Sequence, residues 1–302
     1  MIEIYYESIK NKILNLFNPL KYKMIKSKNG LNKDIRDKKI IVSLTSIPSR
    51  YEKLPLCIEC LLRQTMKPDE IILYLGIENK DKKLPKELLE QTKKGLKIEY
   101  REDIKPHTKY YYAMKEHKND IIITVDDDIY YDKNLVKILY NSYLKYPNVV
   151  SCMRPHKITF KDEINPYNEW KMEYNGKDAI IPSNLLFATG VGGVLYPPHI
   201  LPEETFNIEN IKEYAYKQDD VWLKFVELKN NIKVVKASNK KYHLYTIKDT
   251  QKISLRQNNV EQNQNDIYIK KLYKYFNISK DNFKWEVQNQ QKTLYFQLCI
   301  IF

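Results

Sequence analysis

From Lys39 onward the chain alternates between short apolar runs and amphipathic stretches. Ile40-Ile-Val-Ser-Leu-Thr-Ser46 is apolar at almost every position, as a strand covered on both faces must be. Tyr51 to Gln64 instead places Leu54, Cys57, Ile58, Leu61 and Leu62 on one side of a 3.6-residue repeat, which predicts a helix. Glu70-Ile-Ile-Leu-Tyr-Leu75 predicts a second strand. Pro85 to Lys93 predicts a short helix whose proline sits where a missing N–H costs little. Leu96 to Tyr100 and Ile121 to Val125 read as strands, each followed by or following helical patterns at Lys109 to His117 and Lys133 to Tyr146, the last closed by Pro147. Such regular alternation predicts an α/β fold with a mostly parallel sheet and helices on both faces.

Beyond Val150 the pattern loosens into aromatic, Pro- and Asn-rich segments with short strands. A glycine-containing stretch, Thr189-Gly-Val-Gly-Gly-Val-Leu-Tyr-Pro-Pro198, precedes a helix over Gln218 to Lys229 and a turn and strand over Asn230 to Ala237. Gln251 to Asn265 reads as a polar loop, Asp266 to Phe276 as a final helix, and Leu294 to Phe302 as an apolar tail too short to span a bilayer. Ahead of the alternating region, residues 1 to about 35 form a Lys-rich lead-in. Ile9, Ile13, Leu16, Phe17 and Leu20 recur there at helical spacing with Lys10 and Lys12 between them. Both a packed helix and a helix lying on a membrane surface fit that pattern.

Composition narrows the partners. The 302 residues suffice for a large core, and the formal net charge is +13. Abundant Lys, Asn, Ile and Tyr with only 7 Gly resemble the bias of AT-rich coding, which accounts for part of that charge. The remainder suits phosphate-bearing substrates or an anionic membrane surface. No helix-turn-helix, zinc-finger or RNP pattern is present, so nucleic acid is not an expected partner. Cys57-Ile-Glu-Cys60 is formally CxxC but lies within an apolar helical pattern without a second pair, so Cys57, Cys60, Cys152 and Cys299 are expected as thiols rather than metal ligands. The first residues lack a secretory leader pattern, so the expected location is the cytoplasm, with peripheral attachment to the inner face of the cell membrane as an extension.

The chemistry concentrates at Asp126-Asp127-Asp128, directly after the Ile121 strand. Open α/β sheets bind ligands beyond the carboxyl ends of their strands. Two carboxylates about 4 Å apart repel by ~4 kcal/mol at an effective dielectric of 20, a cost that a divalent cation removes. Oxygen ligands suit Mg²⁺ or Mn²⁺, which can hold a diphosphate. An Asp-rich turn with one acid capping the next helix is the alternative. Thr45-Ser46-Ile47-Pro48-Ser49-Arg50 ends the first strand at the same edge. His107-Thr108-Lys109 opens a helix, and a helix N-terminus beside a cation favours anions. Gln218-Asp219-Asp220-Val221-Trp222 marks a helix start where one acid is expected to cap and the other is free to act as a base.

Taken in order, Thr-Ser-Ile-Pro-Ser-Arg, Val-Asp-Asp-Asp, Thr-Gly-Val-Gly-Gly and Asp-Asp-Val-Trp resemble the motifs of GT-A glycosyltransferases over residues 38 to 250. The likeness is to family-2-like bacterial enzymes of surface polysaccharide synthesis, and more distantly to exostosin-like transferases. The resemblance implies a nucleotide-sugar donor, most readily a UDP-sugar, a glycan or lipid-linked acceptor, and Mn²⁺ or Mg²⁺. It implies Asp128 as a metal ligand, Asp126 on the metal or the ribose, and Asp127 with Thr45, Ser46, Pro48, Arg50 and Lys109 around the donor. Gly190, Gly192 and Gly193 would admit the donor sugar or acceptor. Asp219 or Asp220 would be the base, with Asp220 preferred, and His243 would complete the metal shell. The implied organisation is a basic helical extension (1–37), a GT-A domain (38–250, with a nucleotide-sugar half to 150 and an acceptor half from 151), and a C-terminal loop, helix and tail (251–302). An Asp in the second acidic motif suits the single displacement of an inverting enzyme, whereas the distant exostosin-like likeness would imply retention. The alternatives are a sugar nucleotidyltransferase, although Thr45 to Arg50 lacks its glycine-rich loop, and a catalytically inactive glycan- or lipid-binding scaffold.

Overall fold

A computed structural model describes residues 2–25, 27, 29–161, 163–250, 264–279 and 282–283. Cys299, the apolar tail and most of the expected loop from Gln251 lie outside the described residues. Among the described residues nine strands form, β1 Ile40–Thr45, β2 Glu70–Gly76, β3 Leu96–Arg101, β4 Ile121–Thr124, β5 Val150–Cys152, β6 Pro155–Lys157, β7 Leu186–Ala188, β8 Val194–Tyr196 and β9 Val234–Lys236. Seven of them build one sheet in the order β3-β2-β1-β4-β8-β5-β9, while β6 and β7 pair separately. β3, β2, β1 and β4 run parallel, as the apolar runs predict. β8 then pairs antiparallel with both β4 and β5, and β9 returns parallel to β5. One sheet therefore continues across residue 150.

The described helices are α1 Ile2–Met24, α2 Leu54–Leu62, α3 Lys86–Thr92, α4 Thr108–Glu116, α5 Leu135–Lys145, α6 Ile208–Tyr214, α7 Asp219–Lys229 and α8 Gln264–Tyr275. Each matches a helical pattern in the sequence except α6, which Asn207 caps by accepting the Asn210 amide. Strand alternation separates the two faces. Ile40, Val42, Leu44, Ile71 and Leu73 share a core with α2, α3 and α5, whereas Ile41, Ile72 and Ile122 pack with Ala113 of α4. Helices thus cover both faces, and α7 buries Val221, Trp222 and Phe225 in a third cluster with β5, β7 and β8.

Two features of this layout position the site. β1 neighbours both β2 and β4, so the chain direction of winding reverses between β1 and β4, and their carboxyl ends flank a crevice. Because β8 is antiparallel to β4, with Thr124 opposite Val194, the glycine turn before β8 arrives beside the triplet that follows β4.

Candidate active site

The triplet divides its side chains between two cations. Asp127 is buried and accepts Ser46 Oγ at 2.5 Å and Arg50 Nη1 at 2.6 Å. Arg50 Nη2 also lies 3.3 Å from Asp128. Arg50 reaches them because Pro48 opens a 3-10 turn, Pro48–Arg50, that bends the chain back across the crevice. A buried ion pair of this kind survives only when its remaining hydrogen-bonding capacity is met, which Ser46 does for Asp127. Thr45 turns the other way and donates to the Tyr74 carbonyl at 2.9 Å.

Lys109, buried in the first turn of α4, is the second cation. Its Nζ lies 2.7 Å from Asp126 and 2.9 Å from Asp219. Ser43 of β1 donates to the Lys109 carbonyl and fixes the start of α4 against the sheet. Burial alone would lower the Lys109 ammonium, but Asp126, Asp219 and Asp220 outweigh it and hold it charged. Lys109 is therefore bound by the protein's own carboxylates rather than left open to a donor phosphate.

Asp219 and Asp220 open α7, and neither caps it. The N-cap is Gln218, which makes no side-chain capping bond. Asp219 is occupied by Lys109 instead, and a buried carboxylate so paired gains more than a capping bond of ~1 kcal/mol would give. The two acids have opposite electrostatics. Burial disfavours the Asp219 anion, but Lys109 overcomes this and holds it below the usual carboxylate range. Asp220 is pushed up to about 8, by burial first and then by the neighbouring Asp219 charge. Both of its oxygens face the Gly190 amide, at 3.0 and 3.1 Å, and the residue stays partly open to solvent.

The glycines have unequal roles. A Cβ at Gly190 would stand 2.8 Å from Lys109 Nζ and 3.0 Å from Asp220, so this position admits no side chain without disturbing both. Gly192 abuts Arg154 and Gly193, at φ +93°, abuts Leu135; these two shape the turn and its packing. Tyr131 links the turn to the triplet. Its hydroxyl accepts the Asp126 amide at 2.8 Å and donates to the Val191 carbonyl at 3.0 Å.

Two residues behave differently from expectation or were not given a role by it. His243 is not brought to the triplet. Its flanking Tyr242 and Leu244 pack on the core, and the imidazole lies 3.8 Å from both Glu3 and Glu7 of α1. Among the described residues no three His, Cys, Asp or Glu side chains group as a metal cage. His107 is the unanticipated element. Its Nε2 lies 2.9 Å from the Ala215 carbonyl, which can only accept, so Nδ1 receives the Tyr110 hydroxyl at 2.9 Å. Burial drops its pKa to about 4 and keeps it neutral. It thereby ties α4 to the connection leading into Asp219. Cys57 and Cys60 are buried thiols as expected, with Cys57 donating to the Asp126 carbonyl at 3.3 Å.

The geometry thus joins a strand-end acid triplet, a glycine turn and a protonatable carboxylate at the carboxyl edge of a doubly covered sheet. Residues 46–195 match the family model for glycosyl transferase family 2. The matched span runs from Ser46 beyond β1 to Leu195 in β8, and so includes Arg50, Lys109, the triplet and the glycine turn. The fold is GT-A, and the match supports glycosyl transfer, which in general needs a nucleotide-sugar donor and an acceptor. Asp219 and Asp220 of α7 lie outside the matched span. A search of curated proteins found no match.

Proposed function

We propose that the protein moves a sugar from a nucleotide-diphosphate sugar, a UDP-sugar by preference, to a glycan or lipid-linked acceptor in surface polysaccharide synthesis, capsule or lipopolysaccharide. The reaction is a single displacement that inverts the anomeric centre. Asp220 takes the proton of the attacking hydroxyl, Asp219 and Lys109 hold it in place, and Ser46, Arg50 and Asp126 frame the donor. The observation that carries this reading is the pairing of two adjacent acids with opposite proton affinities. Asp219 stays ionised, and Asp220, at about 8, is poised near neutrality as a general base requires.

Mg²⁺ or Mn²⁺ fits the triplet in one specific manner. Asp126 keeps part of its carboxylate exposed, and Asp128 lies at the edge of the Arg50 pair. Two carboxylates with no third protein ligand among the described residues suit a cation whose remaining shell is donor phosphate and water. When bound, such a cation would neutralise the departing diphosphate. Hydrolysis of a panel of UDP-, GDP- and CMP-sugars, with and without Mn²⁺, tests the proposal. One UDP-sugar should be consumed only with metal, and Asp128→Ala should abolish metal-dependent donor binding with the fold intact. No hydrolysis of any donor, or a variant that binds donor and metal normally, would refute it.

A further inference from the structure

Helix α1 sits on the protein with its polarity reversed. Its inward side is mainly polar. Asn15 donates to the Thr246 carbonyl at 2.9 Å and accepts the Lys248 amide at 2.7 Å, Glu7 accepts the Tyr245 hydroxyl, and Asn18 is buried. Its outward side carries Tyr6, Ile9, Ile13, Leu16, Leu20 and Met24, one continuous stripe at helical spacing. Leu16 is 63%, Leu20 58% and Met24 83% exposed, and Phe17 beside them is 58% exposed. An apolar stripe of this length is not left on water by a helix that merely packs.

The charges bordering the stripe indicate what covers it. Lys12 and Lys23 are eleven residues apart and align along one edge of the stripe, and Lys21 marks the other edge, where Lys10 instead turns its ammonium over the Tyr245 ring at 4.8 Å. The helix's two acids are turned to the protein, Glu3 to Lys241 at 2.8 Å and Glu7 to Tyr245. An apolar centre with a lysine on each side and its acids withdrawn complements a bilayer surface with anionic headgroups, where lysine stems lie along the apolar region and ammonium groups reach phosphate. No described helix is long and apolar enough to cross a membrane, so the helix would lie in the plane.

We infer that α1 docks the protein on the surface of an anionic bilayer through the Tyr6–Met24 stripe. The docking helix reaches the acid triplet through residues 245–248, and also through α2, where Tyr22 meets Cys60 and Cys57 donates to the Asp126 carbonyl. Asn15 and Glu7 hold residues 245–248, and there Thr246 bridges Ile129, the Tyr245 carbonyl accepts the Tyr130 amide, and the Ile247 amide donates to Asp128. The triplet is thus held at a fixed height above the surface. Docking rests on the helix alone; only the delivery of a lipid-linked acceptor to that height rests on the function proposed above.

Flotation of the full chain with vesicles tests it. At low salt the protein should float with phosphatidylglycerol-containing vesicles and much less with pure phosphatidylcholine. Raising salt from 0.1 M to 1 M, which cuts the Debye length from ~10 Å to ~3 Å, should weaken binding. Leu16→Glu with Leu20→Glu should lower the partition coefficient by about tenfold or more while melting and donor hydrolysis without vesicles stay unchanged. Lys12→Glu with Lys23→Glu should remove the preference for anionic vesicles. The inference fails if the unaltered chain does not float, or if the Leu16/Leu20 variant floats equally well. A dimer that this variant splits, without vesicle binding, would assign the stripe to a second copy. Binding that appears only after deleting residues 284–302 would assign it to that segment. Either result overturns bilayer docking, and neither bears on donor hydrolysis.

Discussion

Asp220 keeps its shape but loses its basicity on substitution by Asn, which isolates its proton from its position. Asp220→Asn is expected to lower kcat by ~10²–10⁴-fold, the usual contribution of general-base catalysis, with donor affinity retained. Asp219→Asn should weaken the Lys109 pairing and act more on stability. In the unaltered enzyme, kcat/KM should rise with pH through about 8 as Asp220 ionises. A pH-rate profile on both variants checks this; normal turnover by Asp220→Asn would remove the assignment. The same proton predicts a stability profile. Asp220 has a folded pKa above its unfolded one, so its contribution is complete at low pH and is lost as pH rises toward 8. His107 has the opposite sign, because its folded pKa of about 4 lies below the unfolded value and its contribution is lost as pH falls. The two oppose one another below the usual histidine range; above it Asp220 is unopposed and acts in the same direction as buried Glu227, whose carboxyl is pushed up to about 7. The melting temperature should fall between pH 6.5 and 8, and Asp220→Asn should flatten that fall, by about 2–4 °C for each kcal/mol recovered. At this scale the sequence marked the adjacent acids at a strand end and a helix start, and the fold brings Asp126 and Asp219 together at Lys109. The sequence did not show that Lys109 serves them, because Asp126 and Asp219 come to it only through the fold. A local reading of His107-Thr108-Lys109 as an anion site sees the helix N-terminus and misses its occupants.

Helices and strands were legible wherever apolar periodicity was strong. β1 to β4 and α2 to α5 arise where the pattern places them, with ends shifted by at most three residues in either direction. The antiparallel insertion of β8 between β4 and β5 was not legible. Val194-Leu195-Tyr196 is an apolar run too short to disclose its direction, and direction is set by its partners. Yet that inversion brings the Gly190 turn to the triplet. Gly190→Ala tests the turn as a unit. Its Cβ would displace Lys109 Nζ or Asp220, so turnover should drop by at least about tenfold while the melting temperature moves by only a few degrees, since the crowded Lys109 side chain can shift. A crystal structure or nuclear magnetic resonance spectra of the variant would show whether Asp220 has left the Gly190 amide.

The whole molecule joins a tightly packed sheet domain to an N-terminal helix held by different forces. The lead-in's apolar recurrence predicted the helix but not its orientation, because spacing defines a face and not what that face meets. Inward contacts of α1 are dominated by Asn and Glu hydrogen bonds, each worth about 0.5–1.5 kcal/mol net, with Leu14 and Tyr22 only partly buried. Deleting residues 2–24 should therefore leave a cooperative fold whose melting temperature falls by roughly 4–8 °C, equivalent to about 2 kcal/mol. Calorimetry checks this; loss of the cooperative transition would mean that α1 belongs to the core. The resemblance implies His243 as a metal ligand, whereas the same helix accounts for its placement, with Glu3 and Glu7 of α1 beside the imidazole.

The turn at residues 190–193 has a consequence for how such a chain can change over time. Only 7 of its 302 residues are glycine, and three of those stand within four positions of one another here. A composition that drifts toward lysine and asparagine replaces glycine wherever the backbone tolerates it. Gly190 cannot follow that drift because of Lys109 and Asp220, and Gly193 cannot because its φ of +93° strains any other residue. The turn is then a fixed point around which the remaining surface is free to diverge. Two descendants of this chain could lose nearly all visible likeness in their outer helices and still share Gly190 and Gly193.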